Sequence, residues 1–541
     1  MEEILFWIFL PVCFIAGIVM IVRGFIFYKE PFKSKMQFFL SGLTFLAPRE
    51  IILAFFIWHF VISGSPEYAQ FIAVSEIILL LVFCTTLLGK KISRVFRNYS
   101  MCFSFFLLLQ LLGMTLVAGF FSLTSMSSGS ILKTYFQWSD GFRYVEHSNE
   151  VTIMQYTGDE VNIVIPSVIH EKPVTEIAEG AFQSNDDMTS ITIPEGVSDI
   201  GDSAFEHCDS LTDITIPDGV TRIGFEAFSS CDSLKSITIP DSVITIEKNP
   251  FLYCYSLKEI NVSTANTAFA SVDGILYSKN VEQMIACPGG RAGAFQIPDS
   301  VKYIGESCFA GCGNLQSIKI PDQINRIESW TFNGCSSLRE ITIPDGVTSI
   351  GYYAFSGCQS LDEIQIPAGV TSIDSLAFDY CSKMTAITVS PDNLNFSSDS
   401  GILYNKEQTV LLRCPSGKSG SVTVLPGVTS IGDYAFHGCE QITSVTLPDG
   451  VTNIGNSAFF LCSALTSIEL PDGVTDIGSG TFAFCKNLTS ITIPDSVTSI
   501  DRSAFTYPGS FDRISVVIYC RENSYAHTYT KDEKIAYELI D

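Results

Sequence analysis

The chain has 541 residues, of which 47% are hydrophobic and 16% charged, and its formal net charge is -25. So apolar a composition beside so large an acidic excess is unusual for one soluble domain, and it divides the sequence before any residue is read. The excess also argues against nucleic acid as a partner, since phosphate contacts need a basic face.

Residues 4–22 are uncharged and mostly apolar, long enough as a helix to cross a bilayer's hydrocarbon core. Similar stretches near 43–62, 71–89 and 101–122 predict four transmembrane helices within residues 1–125. The opening Met-Glu-Glu lacks a basic region and no small-residue cleavage site follows, so the first stretch reads as an anchor. Arg23, Lys29, Lys33 and Lys35 follow the first stretch and Lys90, Lys91, Arg94 and Arg97 the third, whereas the loop between the second and third has neither Lys nor Arg. The positive-inside rule then places everything after residue 122 outside the cell. Arg49, Glu50 and Glu76 are ionisable groups inside apolar stretches and form a candidate intramembrane polar set. Either they reach an interface beside the break at Pro48, or the spans act as a sensor or transport-associated element. Up to residue 125 the balance is +3, which leaves -28 for the remainder.

A Ser-rich linker is expected at 126–139, followed by repeats at 140–513 and a closing segment at 514–541. Twelve phenylalanines measure the repeat: Phe182, Phe205, Phe228, Phe251, Phe309, Phe332, Phe355, Phe378, Phe436, Phe459, Phe482 and Phe505. Their spacing is 23 residues except for two steps of 58, which gives three blocks of four coils with 35 extra residues between blocks. Both inserts contain "GILY", at 274 and 401, so the higher period is 127.

The unit from Leu338 to Cys358 explains its own spelling. Leu338, Ile341 and Ile343 alternate inward along a short strand while Glu340 and Thr342 point out. Pro344 ends the strand, "PDG" supplies a turn, Val347 and Ile350 point inward again, Gly351 relaxes the backbone, and Ala354 with Phe355 closes the coil. One unit cannot fold alone, so each coil must cover the next, which specifies a solenoid.

The residue three after the Phe is Cys in ten of the twelve units, the exceptions being Asn185 and Pro508. A position that takes Cys or Asn on every coil is expected to hold a small buried donor bonded to the neighbouring backbone. Stacked parallel side chains give poor disulfide torsions, so reduced buried thiols are expected in preference to a disulfide ladder. Two residues after the Phe, the fourth coil of each block carries Tyr253, Tyr380 or Tyr507, and each is expected to pack beneath the insert or cap that leaves the coil there.

The lines "LTSITIPDSVTSI" at 488–500 and "AFSGCQSLDEIQIP" at 354–367 resemble the BspA-type leucine-rich repeats of bacterial cell-surface proteins, over about residues 150–541. "YTGDEVNIVIPSVIHEKPVTEI" at 156–177 and "VIYCRENSYAHTYTKDEKIAYELI" at 517–540 look like that family's opening and closing segments. The fold class expected is therefore a multi-span α-helical membrane domain followed by a β-rich leucine-rich-repeat solenoid of twelve 23-residue coils with two hairpin inserts. The resemblance implies a surface-exposed binding or adhesion module, here membrane-anchored and extracellular, for a protein or extracellular polymer.

Solenoid curvature offers an extended concave sheet, whose outward strand residues include Asp213, Thr215, Glu340, Thr342, Glu363, Gln365, Glu469 and Thr492. Chemistry is sparse elsewhere. His207 and His437 occupy variable outward positions with no acidic or Cys partner at ligand spacing, "GKS" at 417–419 lacks the glycines of a phosphate loop, and "SPDNLNFSSDSG" from Ser390 loses most of its oxygens in the matching insert. No enzyme activity, cofactor or metal is expected.

Overall fold

The computed structural model describes residues 137–506 and 514–541, all within the unit Ser125–Asp541. They wind into a β-solenoid of about 17 turns. Each coil lays down two short strands, such as Ser190–Thr192 and Asp199–Ile200, and each strand pairs in parallel with its counterpart one coil later, Ser190 opposite Asp213 and Asp199 opposite Arg222.

The repeat's spelling maps onto this path. Leu338, Ile343, Val347 and Ile350 are buried, and Glu340 and Thr342 are exposed. The Val347 N–H donates to the Pro344 carbonyl at 3.0 Å and closes the turn written "PDGV". Gly357 of the unit takes a left-handed backbone at φ 73°, but Gly351, and Gly369 in the next unit, serve close approach instead. A Cβ on Gly351 would stand 2.7 Å from the Ser329 nitrogen of the preceding coil, and one on Gly369, at the "AGV" turn, 2.2 Å from the Asp345 oxygen. Glycine is what lets successive coils close to β-sheet distance.

The third side of each coil is a tight turn that also bonds to the next coil. The Phe182 N–H donates to the Ala204 carbonyl at 2.8 Å, while Gln183 N–H bonds back to Gly180 within the turn. Inside it, Phe182, Phe205, Phe228 and Phe251 stack at 5.2, 5.3 and 5.6 Å between ring centroids. Stacking resumes at Phe309 and again at Phe436, and the buried core falls correspondingly into three clusters, over residues 142–286, 275–403 and 402–535.

The expected fold class needs two corrections. First, the inserts are more than hairpins. Glu259–Val262 pairs in parallel with Ser236–Ile239 and so remains in the first strand column. Phe269–Val272 and Ile275–Ser278 form an antiparallel hairpin, and Gln283–Ala286 returns to the second column beside Tyr303–Ile304. The Cys287 N–H donates to the Cys308 carbonyl, the bond that Phe182 makes to Ala204, and Cys414 does the same to Ala435. Each 35-residue insert is thus one further coil, with a Cys where the Phe would stand, plus a hairpin. With the antiparallel pair Phe142–Glu146 and Val151–Tyr156 at the start and the parallel pair Val517–Arg521 and Ala536–Ile540 at the end, this raises the count well above twelve.

Second, no multi-span α-helical domain forms part of the described architecture. Its single described helix, Tyr525–Glu533, is nine residues long and capped by the Ser524 hydroxyl, which accepts the His527 N–H. Among the described residues no helix is long and apolar enough to cross a membrane. The four apolar stretches, with Arg49, Glu50 and Glu76, lie outside the described residues.

Two buried asparagines that the sequence reading passed over hold the hairpins in place. Asn266 Nδ2 donates to the Pro240 and Val243 carbonyls of the coil below, while its Oδ1 accepts the N–H groups of Ala268 and Phe269. Asn393 repeats all four bonds 127 residues later. The recurrence of Asn at that offset was the available signal.

Candidate functional site

The outward strand residues share one column of the solenoid. Asp213 and Thr215 lie opposite Ser190 and Thr192; Glu340 and Thr342 opposite Ser317 and Lys319; Glu363 and Gln365 opposite Ala386 and Thr388; Glu469 opposite Thr492. All are exposed except Thr492, which is half-buried. The column brings Glu340, Thr342, Glu363 and Gln365 together on successive coils and keeps the pairs of the first and third blocks far from them along the stack. Between them the same column carries Ser236, Thr238, Ser444 and Thr446, so the face alternates hydroxyl and acidic stretches.

The thiol ladder is as expected. All fourteen described cysteines are unpaired and buried. On regular coils the thiol donates to the Phe carbonyl of the preceding coil, at 3.2 Å for Cys208 to Phe182 and 3.1 Å for Cys381 to Phe355. On the first coil of the second and third blocks the bond lengthens, because Cys312 and Cys439 reach the Cys287 and Cys414 carbonyls at 3.7 and 3.6 Å. Burial pushes the thiols of Cys208, Cys254, Cys381 and Cys485 up to about 12. Buried and protonated, they are inert structural donors.

The two junctions between blocks are where the sequence reading missed most. Each extra coil is short on the Phe side, so the turns on either side of it meet directly. At the first junction Asn249 Nδ2 donates to the Ser307 carbonyl at 2.9 Å and Leu252 is buried. The Tyr253 hydroxyl donates to Asn333 Oδ1 at 2.8 Å, and a Cβ on Gly311 would stand 2.6 Å from the Tyr253 Cα. Tyr253 therefore packs on the next block and not beneath the hairpin, which corrects that expectation. Tyr380 likewise places its ring 5.8 Å from His437, and Tyr507 lies outside the described residues.

At the second junction the same space holds charge. Asp379 Oδ1 accepts from His437 Nδ1 at 2.7 Å and from Arg413 Nη2 at 3.0 Å, and all three residues are buried. Arg413 also donates to the Tyr434 and His437 carbonyls, at 2.8 and 3.1 Å. His437 is thus not the outward, partnerless histidine the coil pattern suggested. Its acidic partner stands 58 residues earlier, a separation visible only once the extra coil is known.

Aromatic residues continue from this junction along the Phe edge. Trp330 lies 4.8 Å from Tyr353, Tyr352 4.2 Å from Tyr353, His437 4.8 Å from Phe460 in a stacked pair, and Phe460 5.3 Å from Phe484. Trp330, Tyr353, Tyr380, Tyr434 and Phe484 have φ between 50° and 60°. Such a backbone costs a bulky L-residue about 1–3 kcal/mol. The same two turn positions of the first block carry Gly180, Ser184, Ser203, His207, Glu226, Ser230 and Tyr253 with the same left-handed backbone.

The family model described as the BspA type leucine rich repeat region matches in six copies, over residues 162–274, 291–404 and 416–529. The chain belongs to this family. BspA-type repeat proteins are surface proteins, and leucine-rich repeats bind proteins or polymers in general. The three matched segments correspond to the three blocks. Among solved structures, a leucine rich cell surface protein from Faecalibacterium prausnitzii A2-165 is 28% identical, over 75% of this chain and 94% of that one, with a TM-score of 0.44. A leucine-rich repeat protein from Eubacterium ventriosum ATCC 27560 is 25% identical, over 69% of this chain and 96% of that one, with a TM-score of 0.40. No curated protein matches the chain.

Proposed function

We propose that the chain is a cell-surface recognition protein that engages a protein or extracellular polymer through its exposed strand column. The observation that carries this reading is the run of outward side chains on parallel strands, among them Glu340, Thr342, Glu363 and Gln365 on successive coils, exposed while their neighbours Leu338 and Ile364 are buried. A rigid scaffold holds these groups at fixed spacing, so little conformational freedom is lost when a partner docks. Two measurements test it. External protease should cleave the solenoid on intact cells that make the chain, and protection until lysis would overturn the surface location. Replacing Glu340→Lys together with Glu363→Lys should reduce adhesion of the purified chain to surfaces coated with extracellular-matrix proteins or cell-wall polymers by about tenfold or more, with unchanged melting. Unchanged adhesion would move the binding face elsewhere.

A further inference from the structure

We propose that the Phe edge from Trp330 to Phe484 is a second binding surface, one that takes an uncharged polysaccharide. Trp330, Tyr352, Tyr353, Tyr380, Phe460 and Phe484 follow one another along the coil axis, and Tyr352 and Tyr380 are 41% and 47% exposed. Folding does not require them there. The stacked Phe ladder already fills the coil interior, and the first block builds the same turns mostly without aromatic rings, from Gly180, Ser184, Ser203, His207, Glu226 and Ser230, with Tyr253 at its last coil. Four of the six rings sit on residues with left-handed backbone, where glycine would be the relaxed choice. Left-handed non-glycine residues recur on nearly every coil, and what sets this stretch apart is the aromatic bulk placed on them, which points to function.

The chemistry of the edge selects the ligand. Pyranose rings present apolar C–H faces that stack on aromatic rings, and their hydroxyls bond to a phenol such as that of Tyr352. Between the rings stand glycines and small hydroxyl residues together with Leu376, which is buried, and Leu461, which is half-buried. Its one buried charge cluster, at Asp379, Arg413 and His437, is closed to solvent, and the chain's net charge of -25 repels acidic polymers. Successive coils, ~4.8 Å apart, offer similar groups at regular steps, which matches a polymer of repeating units. This surface is separate from the strand column, so neither reading rests on the other.

Affinity electrophoresis of the full chain through gels containing hydroxyethylcellulose, galactomannan or xylan tests the proposal, with polygalacturonate as the charged control. Retardation by at least one neutral polymer and none by polygalacturonate is expected. Tyr353→Gly combined with Tyr380→Gly removes two rings and relieves two left-handed residues, so the melting temperature should hold or rise while apparent affinity falls by about tenfold or more. Glu340→Lys with Glu363→Lys should leave the retardation unchanged. The proposal fails if none of the three neutral polymers retards the chain, or if the Tyr variant is retarded as strongly as the parent. It fails equally if the Glu variant loses retardation, which would assign the polymer to the strand column, or if the Tyr variant loses only self-association in sedimentation.

Discussion

The junction between Phe251 and Phe309 and the one between Phe378 and Phe436 repeat one backbone arrangement at an offset of 127 residues and fill it with opposite chemistry. Leu252, Ala286 and Ala310 in the first become Asp379, Arg413 and His437 in the second. Polarity is exchanged in the other direction at Asn249, which becomes Leu376. One route across the gap is therefore a packed side chain with one amide bond, and the other an ion pair with an imidazole on the same carboxylate oxygen. Both close the space, so the backbone path depends on the shortness of the extra coil and not on either chemistry. The two differ in how they respond to the loss of one group.

The largest effect is expected at the charged junction. Asp379→Ala leaves Arg413 buried without a counter-charge, which costs about 3–5 kcal/mol. Because each coil contacts only its neighbours, the loss should appear in urea denaturation as separation of the third block's transition from the others. A single undisturbed transition would show that Arg413 finds other partners. At the apolar junction Leu252→Ala costs about 2–5 kcal/mol through lost contact and a cavity, and the spread depends on how far the turn can collapse. Its remaining neighbours stay satisfied, so this change should shift the midpoint without splitting the transition.

Transplanting one junction into the other is a finer test. The triple change Asp379→Leu, Arg413→Ala and His437→Ala copies the first junction. Replacing a buried ion pair by packed apolar groups is commonly neutral or stabilising by about 1–4 kcal/mol. Stabilisation is favoured here because Asp379 Oδ2 and Arg413 Nε find no hydrogen-bond partner among the described residues. Destabilisation beyond the Asp379→Ala value would mean that the charged set is tuned to this particular gap, with Leu376 leaving too little room for the apolar version.

These junctions also mark where the sequence was legible. Translational symmetry made the coil readable, since Phe, Cys, Pro and Gly recur at one spacing because one backbone position recurs. Phe332, Cys335 and Val347 could be placed from the period alone. The extra coils were hidden because Cys287 and Cys414 replace the Phe used as the ruler, and because the hairpin lengthens the step. The 35 extra residues do equal one 23-residue period plus a 12-residue hairpin. The aromatic edge was half visible, since Tyr253 and Tyr380 stood out as bulky, yet nothing local showed that the position is left-handed on nearly every coil. His437 was misread because its partner is neither near in sequence nor one period away. The hydropathy that predicted membrane helices concerns residues 4–122, which the solenoid's repeat says nothing about.

The smallest effect separates two thiols that occupy the same position at the two junctions. Cys254 and Cys381 lie 127 residues apart, and both are pushed up to about 12, first by burial. At Cys381 two further influences oppose each other, Arg413 lowering the value and Asp379 raising it. A thiol raised in the folded state contributes stability that is complete below the unfolded value of ~8.5. That contribution is lost as pH rises through about 12, and both thiols should resist alkylation in native protein near neutral pH. Asp379→Asn keeps the shape and the bond from His437 but removes the negative charge, which leaves Arg413 unopposed beside Cys381. Its thiolate should then form at lower pH, while Cys254, remote from the change, keeps its value. Native-state alkylation between ~pH 9 and ~pH 11, above the free thiol's range, followed by peptide mapping, should therefore label Cys381 ahead of Cys254 in Asp379→Asn. In the parent chain the two should be labelled alike. Equal labelling in the variant would mean that burial alone sets both thiols and that the charge pair at the second junction is screened from the ladder.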